Sequence, residues 1–411
     1  MADFNISPLA PARFPMMPLI EGLRFSTTEA NIKYPNREDL LLFDFDVGTT
    51  LAGVFTQSST VAAPVAWSRI IANRGYARGL LINSGNANAF TGDKGREDVE
   101  SCAVAAARLL GCSSSELLVA STGVIGEPLP VQRIVMAIEN MKGKLQGNSW
   151  ERAALAIGTT DTYPKGAACV TEIDGVPIQI AGIAKGSGMI APNMATMLAF
   201  IFTDASLPPD ILRSVLKSAT SRTFNCITVD SDTSTSDMVL LFSTGRAGNI
   251  VPTSNSDKKL KKFKDSLDKI LGNLALQVVR DGEGAKKLIP IEVLRAKTSN
   301  SAHKIGMAIA NSPLVKTAIA GEDDNWGRIV MAVGKTGIVL DQSKLLISIG
   351  GVLVTENGKR VDNYDEVKLT SHLKGAEILL QVDLGEGNSN SKIWTCDFTH
   401  DYIRINADYR T

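Results

Sequence analysis

Histidine is scarce: the 411 residues include three, His303, His372 and His400. Histidine is the most frequent general base and metal ligand. A His-based triad or a histidine-built metal centre is therefore disfavoured, and a catalytic base is expected elsewhere. The five cysteines, Cys102, Cys112, Cys169, Cys226 and Cys396, form no CxxC pair, and none stands beside a histidine at zinc-ligand spacing. An odd, scattered set reads as reduced intracellular thiols, with Cys169 and Cys226 buried in apolar runs. Long hydrophobic runs are missing too. The densest, Met197 to Phe202, is far below the roughly 18 apolar residues of a membrane span. Residues 1–22 carry four prolines and one arginine, unlike a signal or transit peptide. The expectation is a soluble, cytoplasmic protein. Lys plus Arg and Asp plus Glu are both 43, so the net charge is zero. No global field favours a polyanion, and neither nucleic acid nor a membrane is expected as partner.

What is present describes a globular chain, 44% hydrophobic and 21% charged. Its length allows about two to three domains. Residues 39–45 and 79–83 read as strands. Residues 97–110 read as a helix stopped by Gly111, and 131–141 as another. Asp174-Gly175 is a two-residue turn between strands 170–173 and 176–183. Buried strands are expected at 196–202, 225–229 and 238–242, and a helix from Pro208-Pro209-Asp210 to about Thr220. The clearest helix, 256–280, lines up Leu260, Phe263, Leu267, Ile270, Leu271, Leu274 and Val278. Its lysine pairs alternate with Asp257, Asp265 and Asp268, so that face reads as solvated. After a mixed stretch, 289–317, strands follow at 345–349, 352–354 and 377–384. Antiparallel hairpins with paired helices argue an α+β layered fold, not a doubly wound Rossmann sheet. A main α/β core over 1–285 and a smaller strand-rich unit over 286–411 are expected.

Several familiar motifs fail. Gly334-Lys335-Thr336 ends like a P-loop, but the glycine required five residues earlier is Ile329. Asp230-Ser-Asp232-Thr-Ser234 begins like an EF-hand, but Thr235 and Leu241 replace its glycine and glutamate. No metal site is expected.

The segment 185–205, KGSGMIAPNMATMLAFIFTDA, is different. A Gly- and Pro-bearing loop runs straight into a strand whose first residue is Thr196. Small residues permit sharp bends, and a β-branched threonine is stiff at χ1. A strand-leading turn and a hydroxyl held against the preceding carbonyl are both compatible with this segment. KGSGMIAPNMATML resembles the self-cleavage motif of the ornithine acetyltransferase (glutamate N-acetyltransferase) family of arginine biosynthesis. Seven further stretches resemble the same family, in family order: Ser84–Ala89, Ser121–Gly126, Thr159–Thr162, Arg280–Gly284, Ser312–Thr317, Asn325–Arg328 and Ile405–Thr411.

The resemblance implies a layered self-cleaving fold of N-terminal-nucleophile type. It implies a backbone cut between Ala195 and Thr196, leaving fragments 1–195 and 196–411 associated. Thr196 becomes the nucleophile, and its new α-amine, with an ordinary pKa of about 8, is suited to act as base. Thr122 and Gly123 are implied as the oxyanion site, where losing one donor can cost roughly 3 kcal/mol of barrier. Thr162, Lys185, Thr196, Glu283, Asn406 and Thr411 are implied as substrate-binding residues. Lys185 is suited to a carboxylate and Glu283 to an ammonium. No dissociable cofactor is implied, although acetyl-CoA enters as an alternative acetyl donor. The αβ pairs are implied to associate, two of them making a heterotetramer. Two other readings stay open at this point. One is a self-cleaving aminopeptidase or amidohydrolase of related fold, in which water accepts the acyl group. The other is a non-catalytic binding protein of that fold.

Overall fold

The structure is a computed structural model that describes residues 5–146, 149–191 and 197–407. The chain divides into two compact units. One is built from Pro11–Asn225 with Asp232–Val278, the other from Asn5–Ala10, Cys226–Ser231 and Val279 onward.

The first unit contains β1 (Leu23–Thr28), β2 (Leu40–Phe45), β3 (Thr50–Phe55), α1 (Ala63–Arg74), β4 (Gly79–Asn86), α2 (Gly92–Leu110), β5 (Leu117–Val124), α3 (Val131–Glu139), α4 (Trp150–Ile157), β6 (Lys165–Ile173), β7 (Val176–Lys185), β8 (Leu198–Thr203), α5 (Pro209–Arg222), β9 (Met238–Ser243) and α6 (Lys261–Arg280). One sheet has the order β1-β2-β4-β5 and the other β3-β9-β8-β7-β6.

The continuous apolar run of β2 is explained by burial on both faces. Leu41, Phe43 and Phe45 face the second sheet, whereas Leu40 and Leu42 join Val99, Cys102, Ala103 and Ala106 of α2 and Ile134 and Ile138 of α3. Between the sheets the rings of Phe43 and Phe202 lie 4.7 Å apart, and those of Phe45 and Phe242 4.4 Å apart. Each fully buried Phe contributes about 1.5–3 kcal/mol. On the outer face of the second sheet, α5 packs against β3. A Cβ on Gly182 of β7 would lie 3.0 Å from Leu274 of α6, so small residues let that helix approach. The unit is a helix–sheet–sheet–helix sandwich.

Local rules explain the boundaries. Asp174 and Gly175 have φ of +53° and +81°, as their tight hairpin requires. Gly111 closes α2 at φ +66°. α2 begins at Gly92, five residues before the apolar period starts, because its first turns are polar. The lysines at and just before the start of α6 are solvated as expected: Lys259, Lys261 and Lys262 pair with Asp174, Asp265 and Glu172.

The second unit contains β10 (Leu288–Ala296), α7 (Ser299–Ala310), α8 (Pro313–Ala320), α9 (Trp326–Gly334), β11 (Leu346–Ile349), β12 (Val352–Glu356), β13 (Lys359–Arg360), α10 (Glu366–Leu373), β14 (Leu380–Asp383), β15 (Ser389–Cys396) and α11 (His400–Ala407). Its sheet has the order β13-β12-β11-β14-β10-β15. Ile289, Ile291 and Val293 of β10 pack with Ile305 and Ile309 of α7. Glu292, on the opposite face, meets Lys392 and Gln381, each at 3.0 Å. This is the period-two alternation of a half-covered sheet.

Three expectations are corrected. Residues 225–229 are not a strand. A 3-10 turn covers Phe224–Cys226, and a single bridge joins Ile227 to Trp394. The Thr228 hydroxyl donates to Asn311 Oδ1 at 2.7 Å, and Ser231 turns the chain at φ +68°, so side-chain bonds replace a ladder. Cys169 is half-buried rather than buried, whereas Cys226 is buried. The third third of the chain also holds the short helices α9, α10 and α11, whose lengths of eight or nine residues give periodicity little room. Among the described residues, no helix is long and apolar enough to cross a membrane.

Candidate active site

In the first unit the site gathers at strand ends. β4 and β5 run parallel and pair Ser84 with Thr122 and Gly85 with Gly123, after which the register shifts at Asn86. Gly123 has φ +133°, and a Cβ on it would meet backbone atoms of Gly85 and Asn86 at 2.3–2.6 Å. Glycine is required there by both conformation and space. Behind it, Ser121 Oγ donates to Asn83 Oδ1 at 2.5 Å, and Asn83 Nδ2 donates to the Asn86 carbonyl at 2.9 Å. These buried bonds fix the turn.

Lys185 is the last residue of β7 and pairs with Leu198, the first of β8. Its ammonium donates to Thr159 Oγ1 at 2.9 Å and to Thr122 Oγ1 at 3.2 Å. Thr122 is buried. Next to Thr159 stands Asp161, which accepts from the Gly186 N–H and from Lys165 Nζ, each at 2.6 Å. Its other oxygen accepts from the Thr159 N–H at 2.9 Å. Lys165 is fully buried, with its ammonium 4.8 Å from the Tyr163 ring. Burial would raise the Asp161 pKa, but Lys165, Lys185 and the Gly186 N–H outweigh it and hold the carboxyl far below its ordinary value. A buried lysine is tolerable only with such a partner.

Thr162 is half-buried in the turn beside Asp161. The structure thus brings Thr122, Gly123 and Lys185 together, with Thr162 close in sequence to the group that holds them. Asp161, Lys165 and Thr159 were not singled out from the sequence. The legible signal was an acid and a lysine four residues apart around Thr162, within a stretch already flagged.

The second unit holds Glu283 and Asn406. Glu283 is buried in the turn after α6, and Asn406 Nδ2 of α11 donates to its Oε2 at 2.8 Å and to the Tyr402 carbonyl at 3.0 Å. Gly284 has φ +73°, and a Cβ on it would lie 2.6 Å from Tyr402 N, so α11 docks where only glycine fits. Thr399 Oγ1 donates to the Gly284 carbonyl at 2.7 Å and secures the approach. Ala195, Thr196 and Thr411 lie outside the described residues.

His303, His372 and His400 are the histidines of this chain. All three belong to the second unit. His372 Nε2 accepts from the Leu379 N–H at 3.0 Å, and burial lowers the pKa of both His303 and His372. Among the described residues, no group of three or more His, Cys, Asp and Glu side chains is placed to hold a metal. The EF-hand-like Asp230 instead receives the Tyr402 hydroxyl at 3.4 Å.

A layered α+β sandwich with a lysine, a threonine and an obligatory glycine converging at strand ends suits acyl-group chemistry. The family model described as the ArgJ family matches residues 24–411, and the chain belongs to that family. Curated relatives named arginine biosynthesis bifunctional protein ArgJ include one from Gluconobacter oxydans, 51% identical over 406 residues (99% of this chain, 96% of the relative). Another, from Agrobacterium fabrum, is 50% identical over 409 residues (99% of each chain). A crystal structure of arginine biosynthesis bifunctional protein argJ from Bacillus halodurans is 40% identical, with a TM-score of 0.49. It covers 52% of this chain and 99% of that one.

Proposed function

We propose that this ArgJ-family chain is a self-processing glutamate N-acetyltransferase of arginine biosynthesis. It moves acetyl from N-acetylornithine to glutamate through an acetyl ester on Thr196. The Thr196 hydroxyl attacks the Ala195 carbonyl, and water opens the resulting ester, so that fragments 1–195 and 196–411 form. The freed α-amine then takes the proton of the hydroxyl it shares a residue with. The hydroxyl oxygen attacks the acetyl carbonyl of N-acetylornithine. The amide C–N bond breaks, and ornithine leaves carrying the proton. The glutamate amine attacks the ester, N-acetylglutamate departs, and the Thr196 hydroxyl is restored. Acetyl-CoA enters the same scheme as a thioester donor, which accounts for a bifunctional enzyme.

Thr122 and Gly123 serve as donors to the oxyanion in each half-reaction. The contact that carries this reading is Lys185 to Thr122, 3.2 Å. A lysine that donates to a threonine oxygen leaves the hydroxyl hydrogen to point elsewhere, toward a developing negative charge. Lys185 is suited to a substrate carboxylate and Glu283 to an ammonium, Asn406 and Thr411 supply neutral hydrogen bonds, and Thr162 is a further substrate-binding residue. The enzyme works in the cytoplasm on free amino acids, without a dissociable cofactor, as associated fragments in two or more αβ pairs.

The test offers N-acetylornithine with and without glutamate to the purified protein. Deacetylation that depends on glutamate, with N-acetylglutamate formed one for one, is the expected result. Equal deacetylation without glutamate would overturn it in favour of a hydrolase.

A further inference from the structure

We propose that Lys316 is a positioning residue in the second unit. Its buried ammonium seats the turn after β15, from which α11 carries Asn406 to Glu283. The proposal rests on Glu283 and Asn406 being substrate-binding residues, as set out above.

Val315 and Ile319 of α8 belong to the apolar core of the unit, and Lys316 is fully buried beside them. A buried ammonium is tolerable only where its donors are taken up. Lys316 Nζ donates to Thr395 Oγ1 at 2.7 Å and to the Cys396 carbonyl, so both bonds end on the last two residues of β15. The Lys316 carbonyl accepts from the Phe398 N–H at 3.3 Å, and Nζ stands 4.5 Å from the centre of the Phe398 ring, close enough for a cation–π contact. One residue thus holds the chain on both sides of Asp397. Asp397 Oδ1 accepts from the Lys286 and Lys287 N–H groups at 2.8 and 2.9 Å. That ties the same turn to the segment that follows Glu283.

From the turn, order passes outward into α11. The Phe398 ring stacks on Tyr402, with centres 4.7 Å apart and planes 27° apart. The Tyr402 carbonyl accepts from Asn406 Nδ2 at 3.0 Å, and the same amide nitrogen donates to Glu283 Oε2 at 2.8 Å. Lys316, Phe398, Tyr402 and Asn406 therefore form a line that ends on the carboxylate suited to the substrate ammonium. An isolated helix as short as α11, eight residues, is marginal, so contacts of this kind must seat it. A carboxylate ordered before the substrate arrives loses less freedom on binding. The line thus sets affinity for donors that bear a side-chain ammonium.

Lys316→Met removes the ammonium and keeps an apolar stem in the core. Phe398→Leu breaks the link to Tyr402 without touching a buried charge, so it decides the matter should Lys316→Met fail to fold. Phe398→Tyr keeps the ring. Each is compared with wild type for thermal melting, for KM and kcat with N-acetylornithine as donor and glutamate as acceptor, and for the inhibition constant of Nα-acetylnorvaline, the same donor frame without the ammonium. We expect a KM for N-acetylornithine raised about tenfold in Lys316→Met and Phe398→Leu, with a much smaller change in kcat. The inhibition constant should stay near wild type throughout, and Phe398→Tyr should keep the wild-type KM. A wild-type KM in folded Phe398→Leu overturns the line, and so does a KM that rises together with the inhibition constant, which marks a general loosening of the unit. Glu283→Gln separates the two layers of inference. A raised KM in Glu283→Gln with normal values in Lys316→Met and Phe398→Leu sinks the role of Lys316 alone. A normal KM in Glu283→Gln sinks the reading of Glu283 itself.

Discussion

A Cβ placed on Gly123 would stand 2.3 Å from the carbonyl carbon of Gly85. The parallel strands β4 and β5 meet there, and any side chain at position 123 forces them apart. Gly123→Ala is expected to cost about 1–3 kcal/mol of stability from backbone strain and to reduce acetyl transfer at least in proportion. Thermal melting and steady-state turnover measure the two effects. A variant that is fully stable and fully active would remove the close approach from the account of the site.

Thr122 and Thr196 should separate two kinds of loss. Thr122→Ala removes one donor near the proposed oxyanion, and kcat should fall about 10²–10³-fold with KM little changed. Thr196→Ala should leave a single uncut chain of full length in an intact-mass spectrum. An uncut wild-type protein with full activity would exclude an α-amine base.

Acid stability should report the buried pair. Asp161 has a folded pKa held below its unfolded value of about 3.9. Its contribution is fully present above that value and is lost as pH falls through the range below it. The double variant Asp161→Asn, Lys165→Met should show a shallower decline of melting temperature below about pH 4 than wild type.

Thiol chemistry should follow burial. Burial pushes the Cys102 thiol up to about 12 and those of Cys226 and Cys396 up to about 11. The half-buried Cys112 and Cys169 are also raised by burial but are more accessible. Iodoacetamide at pH 8 should label Cys112 and Cys169 first and leave the other three intact until the protein unfolds. Prompt labelling of Cys396 in folded protein contradicts its placement in the core of the second unit.

Much of this was legible from residue patterns. The Asp174-Gly175 hairpin, the stop at Gly111 and the apolar face of α6 follow from local rules, and all three stand where those rules put them. The strand at 225–229 does not, because its hydrogen bonds go to Trp394 and Asn311, partners about 80 residues or more away that no local window contains. At the site, Thr122, Gly123 and Lys185 could be named only through resemblance, because sequence spacing does not show that residues 122 and 185 touch. Asp161 was hidden for a related reason. Its partners Thr159, Lys165 and Gly186 meet in an irregular turn with no helical or strand period to betray them.

The strand order β3-β9-β8-β7-β6 has a consequence for a chain cut after Ala195. β8 and β9 would belong to the newer piece, yet they lie between β3 and β7 of the older one, joined by six residue pairs on each side. Scission would therefore sever the polypeptide without opening a seam. Neither fragment could leave without exposing raw sheet edges, and pieces from two different molecules should not exchange once formed. Each processed molecule would keep the partner it was born with, as a threaded braid keeps its strands after one of them is snipped.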